Sequence, residues 1–416
     1  MPSEIPKFFS KKELQGILSQ NSVLFSKINQ MNKQDFFGSS PPTIFVGSKL
    51  KYPNVNVGIL SPPEETKDAW LYDAQTYWPG TDFTIRDIVA LRSALINSRF
   101  QTRIDSVRGN NKFTEIAQEI GIGKEPVDVE IELEKKPILK TDYDSIRLPM
   151  GPAVNLKKAT ITENVKVDNR VDKIINDTDL RAVEGMQSLY EKGVDEHTIS
   201  QLLTLGVLGR KKARVLVPTR WGITASDDAL GKALIDEIQD YKEIDEHRLY
   251  LGNYFGNYYF ILMFPGNWQY ELFEGYLPKS AWNQESTIKW ATDDESIFGR
   301  KTYASGTAGG YYAARFPILQ HLQKIKKQAS VLVIRFETPE YFASLGVWVV
   351  RSAARKCFIN QPLIFDSRES LLTKVKEEIY TRFKYNIDDI YKSSKLLLKI
   401  KTQRKLREFF NYQSSI

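Results

Sequence analysis

The chain has 416 residues, with 58 Lys and Arg against 51 Asp and Glu for a net charge of +7. That length suggests two or three domains, and 42% hydrophobic residues are enough to bury a large core. The one cysteine, Cys357, excludes an internal disulfide, and with only His197, His247 and His321 beside it no Cys/His zinc site is expected.

No apolar run reaches the roughly 18 residues that a membrane span needs. The longest, NYYFILMF from Asn257 to Phe264, has the length of a buried strand. The N-terminal stretch shows no basic segment followed by an apolar one, so no secretory signal and no membrane partner are expected. The positive charge is concentrated. From Tyr391 to Ile416 seven basic residues face only Glu408, which gives +6 and leaves the other 390 residues near neutrality. The basic character therefore belongs to the tail and is weak evidence that the body binds nucleic acid.

Along the chain, residues 1–42 read as a short helix and a polar linker that ends on Pro41 and Pro42. Thr43–Gly47 reads as a short strand, and YPNVNVGILSPPEE as a strand followed by a loop. The stretch from Thr84 to Ile104 reads as one helix, capped by Thr84 with Asp87 three residues on. Its apolar stripe is Ile88, Leu91, Leu95 and Ile96, and Arg92, Arg99 and Arg103 fall near one face. PVDVEIELEKKP alternates strictly and predicts a strand with an acidic outer face. Helices are expected at about Asp179–Lys192 and Asp195–Leu205. The second of these, with the basic Arg210–Arg214 that follows, is better explained as a core helix than as a DNA-reading one.

Further on, Val215–Val217 reads as a strand, with a loop at Arg220 and Trp221 and a helix capped by Ser226. HRLYLGNYFGNYYFILMFPGNWQYELFEGYLP reads as an antiparallel meander with Gly/Asn turns. YASGTAGGYYAARFPILQHLQKIKK is a glycine-rich turn entering a helix. ASVLVIRFETPEYFASLGVWVVRSAARKCF reads as strand, loop, strand and helix, and SRESLLTKVKEEIYTRF as the helix before the tail. The fold expected is α+β, with an antiparallel meander, helices packed on the sheet and a flexible basic tail.

Three places carry residues suited to chemistry. In SGTAGGYY, Gly306, Gly309, Gly310 and Tyr311 open a helix, with Arg315 one turn on. A helix N-terminus behind glycines can cradle a phosphate, and a tight turn explains the same residues. In PTRWGITASDD, Arg220 suits a phosphate and Trp221 a base. Asp227 and Asp228 suit a divalent cation or general-base work, or ordinary helix N-terminal charge. In FVGSKLKYPNVNVG, Gly47, Lys49, Lys51, Tyr52, Asn54 and Asn56 gather polar groups between two glycines. Arg335 and Arg351 are expected at the ends of adjacent apolar strands and need an anion or a carboxylate such as Glu337 or Glu340. Cys357 reads as buried and inert.

Near the end of the sequence, Gln403, Leu406, Phe409 and Phe410 fit a spacing that lines up one side of a short 3₁₀ turn. Such a turn docks in an apolar groove. It resembles the box by which replication and repair proteins bind PCNA, the sliding clamp, and the flanking basic residues suit nearby DNA. A terminal helix packed on its own core, through Leu396–Leu398 and Phe409, explains the same residues.

Together with FVGSKLKYPNVNVG, the stretches LVPTRWGITASDD, GGYYAAR and TPEYFASLGVWVVR make the chain resemble the archaeal Nre family of DNA repair proteins over nearly its whole length. The resemblance implies DNA repair, PCNA as partner and an archaeal cytoplasm, but no defined reaction. It implies a linker over 1–42, an N-terminal region over 43–298, a C-terminal region over 299–390 and a tail with the clamp-binding box over 391–416. Many relatives carry a cysteine-bearing segment near the start. Residues 1–42 contain no cysteine here, so no metal role follows. The main expectation is a clamp-recruited repair factor whose body acts on DNA or a nucleotide. A non-enzymatic adaptor between clamp and another repair protein competes with it, as does a binder held to nucleic acid by charge alone.

Overall fold

The computed structural model describes residues 34–138 and 150–402. The chain divides into two compact units, Met1–Ala233 with Glu340–Trp348, and Leu234–Pro339 with Val349–Ile416.

In the first unit the strands are β1 (Asp35–Ser40), β2 (Ile44–Val46), β3 (Asn54–Ser61), β4 (Ile96–Arg103), β5 (Val127–Leu133) and β6 (Ala153–Ile161). They form one mixed sheet in the order β1-β5-β6-β4-β3-β2. The β4–β6 pair is parallel and the other pairs are antiparallel. The strict alternation of β5 survives intact. Val127, Val129, Ile131 and Leu133 are buried, while Glu130 and Glu132 reach Lys158 and Lys157 of β6 at 4.0 and 2.5 Å. The segment DFFGSS, read as linker, is β1, held by its antiparallel register on β5.

The helices of this unit are α1 (Ile85–Ser93), α2 (Lys112–Gly121), α3 (Asn169–Asn176), α4 (Ala182–Glu191), α5 (Glu196–Thr204) and α6 (Thr219–Ile238). The Thr84 hydroxyl accepts from the Asp87 amide and the Asp87 carboxylate accepts from the Thr84 amide, a reciprocal cap. The single helix expected to Ile104 is corrected: it ends at Ser93 and the chain turns at once into β4. From Ser98 onward the residues alternate, with Ser98 and Phe100 buried and Arg99, Gln101 and Arg103 exposed. Period two thus takes over from the helical stripe. The strand expected at Val215–Val217 is absent, and α6 begins directly after Pro218. Ser226 is therefore inside the helix, its hydroxyl donating back to the Ile223 carbonyl.

The second unit holds β7 (His247–Tyr254), β8 (Asn257–Phe264), β9 (Gln269–Tyr276), β10 (Lys289–Glu295), β11 (Ser330–Glu337) and β12 (Leu363–Phe365). The order is β10-β9-β11-β8-β7-β12. The expected meander is corrected at one joint: β7 and β8 form a hairpin, but β11 inserts between β8 and β9, antiparallel to one and parallel to the other. All eight β11 residues are buried, as a central strand covered on both faces requires.

The helices here are α7 (Ala308–Ile325), α8 (Val347–Lys356), α9 (Arg368–Phe383), α10 (Asp388–Ser393) and α11 (Lys395–Thr402). GVWVV, read as a strand, opens α8. One face of the sheet packs Phe260, Leu262, Leu332, Ile334 and Phe336 against Leu371, Val375 and Ile379 of α9 and Leu396 and Leu397 of α11. The other face meets α7, where Tyr270 and Tyr311 lie edge to face at 5.0 Å. The basic segment from Tyr391 thus begins as helix, with Leu396 and Leu397 buried and Leu398 exposed. Gln403, Leu406, Phe409 and Phe410 lie outside the described residues.

Candidate nucleic-acid interface

Two of the three stretches singled out in the sequence meet in the first unit. The Val46 amide donates to the Thr219 hydroxyl at 2.9 Å, which fastens the end of β2 to the start of α6. The Ile104 amide donates to the Pro53 carbonyl and the Leu216 amide to the Ile104 carbonyl, so the chain entering α6 runs beside the start of β3. Trp221 and Tyr52 face each other as a result, with ring centroids 6.1 Å apart and planes at 41°. Both are exposed, Tyr52 at 57% and Trp221 at 45%. Gly222 lets this turn of α6 approach α5, since a Cβ there would overlap the Thr204 hydroxyl.

The surroundings are basic and amide-rich. Lys49, Lys51 and Arg220 are exposed beside the rings in sequence. Register places Asn54 across from Arg103, Asn56 across from Gln101 and Gly58 across from Arg99. This puts three amide side chains and two arginines on one sheet face. Arg99 donates to Asn155 at 3.2 Å, and Arg103 donates bidentately to Asp105 at 3.2 and 3.3 Å. Gly47 belongs to the same corner, its amide donating to the Asn56 carbonyl. Arg99 and Arg103 were assigned to a helix from the sequence. The alternation of INSRFQTR was the signal that places them beside Asn54 and Asn56.

Asp227 is buried in α6, and Asp228 is held by Lys232 one turn on at 2.6 Å. Among the described residues, no three His, Cys, Asp or Glu side chains gather as metal ligands. Arg92, placed from the sequence near one helix face with Arg99 and Arg103, is buried and paired with Asp73 at 2.6 Å. Burial alone raises the Asp73 carboxyl. Arg92, with His197 and Thr43, outweighs it and holds the group well below the usual carboxylate range.

The glycine-rich stretch lies in the second unit, under a buried charge network. The Thr307 amide and hydroxyl, at the entry to α7, donate to Asp293 at 2.8 and 3.0 Å. A Cβ at Gly306 or Gly310 would overlap Asp293 or Glu274 respectively. The negative groups at this helix entry are therefore the protein's own carboxylates. Tyr311 and Arg315 are fully buried, and Arg315 pairs with Glu295 at 2.6 Å. Gly309 follows in the first turn of α7.

Arg335 bridges two carboxylates, Glu274 at 2.5 Å and Glu337 at 3.1 Å, and donates to Asn257. Glu337 is one of the two carboxylates the sequence offered as partners. Burial, against the opposing pull of Arg335, pushes the Glu337 carboxyl up to about 7. Arg351 is buried on α8 rather than placed at a strand end. Cys357 is buried, and burial pushes its thiol up.

These features define an α+β protein of two units, each built on a mixed six-stranded sheet, the first with an exposed aromatic pair in basic surroundings. The chain belongs to the archaeal Nre family. Residues 10–283 match the family's N-terminal region, described as Archaeal Nre, N-terminal, and residues 295–409 its C-terminal region, Archaeal Nre, C-terminal. It is 36% identical over 349 residues to DNA repair protein NreA of Haloferax volcanii, covering 82% of this chain and 83% of that protein. It is 36% identical to DNA repair protein NreB of Archaeoglobus fulgidus over 340 residues, covering 82% of this chain and 84% of that one. With DNA repair protein NreA of the same organism the identity is 35% over 345 residues, again 82% and 84%. No solved structure matches the chain. No described helix is long and apolar enough to cross a membrane.

Proposed function

We propose that this chain is a DNA repair factor of the archaeal cytoplasm that contacts DNA through the Tyr52–Trp221 corner of its first unit. It is held to the PCNA sliding clamp through Gln403, Leu406, Phe409 and Phe410. The relatives named as DNA repair proteins support the process. The family match running to residue 409 supports a role for the segment that carries the box. The observation that carries the DNA contact is the exposed ring pair 6.1 Å apart with Lys49, Lys51 and Arg220 beside it. Cations neutralise phosphates, and exposed rings add affinity for bases.

The test is fluorescence anisotropy of a labelled oligonucleotide titrated with the intact chain and with Lys51→Glu/Arg220→Glu. The variant should bind more weakly at every salt concentration, and its plot of log affinity against log salt should be shallower by about two contacts. Equal affinity and equal slope would refute the DNA contact.

The adaptor reading draws on the second unit. Its charged groups near α7 pair with one another, and the glycines fit against carboxylates, so these residues act as internal structure. Under that reading the body bridges the clamp to another repair protein. Addition of nucleotides with a divalent cation then leaves the second unit's melting unchanged.

A further inference from the structure

We propose that Tyr52 and Trp221 form a clasp for one unpaired base, so that the DNA taken at this corner is single-stranded or carries a base out of the stack. This rests on the DNA-contact reading above and narrows its substrate.

The rings themselves argue for it. At a centroid separation of 6.1 Å and a tilt of 41° they do not stack on each other. They open as a wedge, with roughly half of each residue in water. A flat ring inserted between two others needs about 7 Å between their planes, because carbon atoms pack at about 3.5 Å. The centroids stand 6.1 Å apart, so taking a base between the rings requires the Tyr52 side chain to swing outward about its own bonds. Trp221 is the fixed jaw. Its backbone lies in the first turn of α6, which Thr219 ties to β2 and Gly222 brings close to α5. Tyr52 is the adjustable jaw, on the segment between β2 and β3.

Chemistry around the wedge selects the occupant. Lys49, Lys51 and Arg220 suit the phosphates on either side of a held nucleotide. Asn54, Asn56 and Gln101 on the adjoining sheet face offer both amide donors and carbonyl acceptors, which can meet the edge of any base. A matched duplex hides its base faces, so the two rings gain nothing from it beyond the charge contact. An unstacked base offers a face to each ring, and it is least costly to obtain where pairing is already lost.

The test compares four labelled DNAs against the intact chain by anisotropy at one salt concentration. These are a dT oligomer, a matched duplex, the same duplex with one unpaired base, and that duplex with the unpaired position made abasic. The clasp predicts tighter binding to the oligomer and to the duplex with the unpaired base, and loss of the gain at the abasic position. Trp221→Ala and Tyr52→Ala should each weaken the single-stranded complex by roughly 5- to 150-fold, the range of one lost base–aromatic stack, and should weaken the matched-duplex complex by much less. Trp221→Phe keeps a ring in place and should retain most of the affinity. If all four DNAs bind equally and Trp221→Ala has no effect, the clasp is refuted while DNA contact through charge stands. If no DNA binds, or if Lys51→Glu/Arg220→Glu binds as well as the intact chain, both readings fall.

Discussion

Arg335 holds two buried glutamates, Glu274 and Glu337. Burial pushes the Glu337 carboxyl up to about 7, and the Arg335 charge opposes this only in part. An unfolded glutamate releases its proton near 4.5. Between about 4.5 and 7 the native chain therefore holds a proton that the unfolded chain has lost, so this group's contribution to stability falls as pH rises through that window. Above it the contribution is flat. Glu337→Gln should remove this slope. Urea midpoints taken from pH 4.5 to 8 should show the variant gaining on the parent as pH rises to about 7, and then holding level. A constant difference across the range would mean that Glu337 is ionised throughout. The sequence showed that Arg335 needed a carboxylate and named Glu337. It did not show Glu274, because that partner comes from β9 through a parallel register that only β11's insertion creates.

At the scale of elements, legibility followed how many faces each strand hides. β5 hides one face and alternates, and β11 hides both and carries an apolar run from Val331 to Ile334, so both were visible. β10, with sequence KWATDDE, was not. Its carboxylates point to partners on α7 and α11, through Asp293 with Thr307 and Asp294 with Lys395, and these partners are distant in sequence. The break between α1 and β4 was missed because Leu95 and Ile96 continue the helical stripe while also beginning the strand. The start of α6 was misplaced because Ser226-Asp227-Asp228 imitates a cap, although Pro218 already stands at the true start. The Tyr52–Trp221 corner was half legible. Both residues were singled out, but their meeting depends on the Val46–Thr219 contact across 173 positions. Where a cap was read correctly it gives a direct prediction. Thr84→Ala removes the hydroxyl that accepts from the Asp87 amide and should cost about 1 kcal/mol in chemical denaturation. A loss under a few tenths would mean that packing of Ile88 and its neighbours, not the cap, fixes the start of α1.

For the whole molecule, the question is which part meets which partner. The segment from Tyr391 carries +6 of the net +7, so a charge-only binder would act through it. Yet α11 contributes Leu396 and Leu397 to the second unit's core, so a cut at Tyr391 would remove packing as well as charge. The informative deletion begins after Thr402. It should abolish clamp binding in a calorimetric titration, as should Phe409→Ala/Phe410→Ala, while affinity for DNA falls less than threefold. Loss of DNA affinity in the deletion would transfer the nucleic-acid contact from Tyr52 and Trp221 to the tail.

The fastening of α11 sets a length. Glu271 of β9 accepts from the Lys395 and Leu396 amides and from the Ser394 hydroxyl, which pins the first turn of that helix to the sheet. Thr402 is the last described residue of the helix, and the last Phe of the box is eight residues later. Eight residues reach at most about 28 Å even when fully drawn out. If the box binds a clamp as proposed, the clamp would be on a short leash. On the proposed clamp contact, the second unit would stay within that radius of the ring's surface, and the local concentration of one at the other would be set by the leash, not by diffusion through the cell.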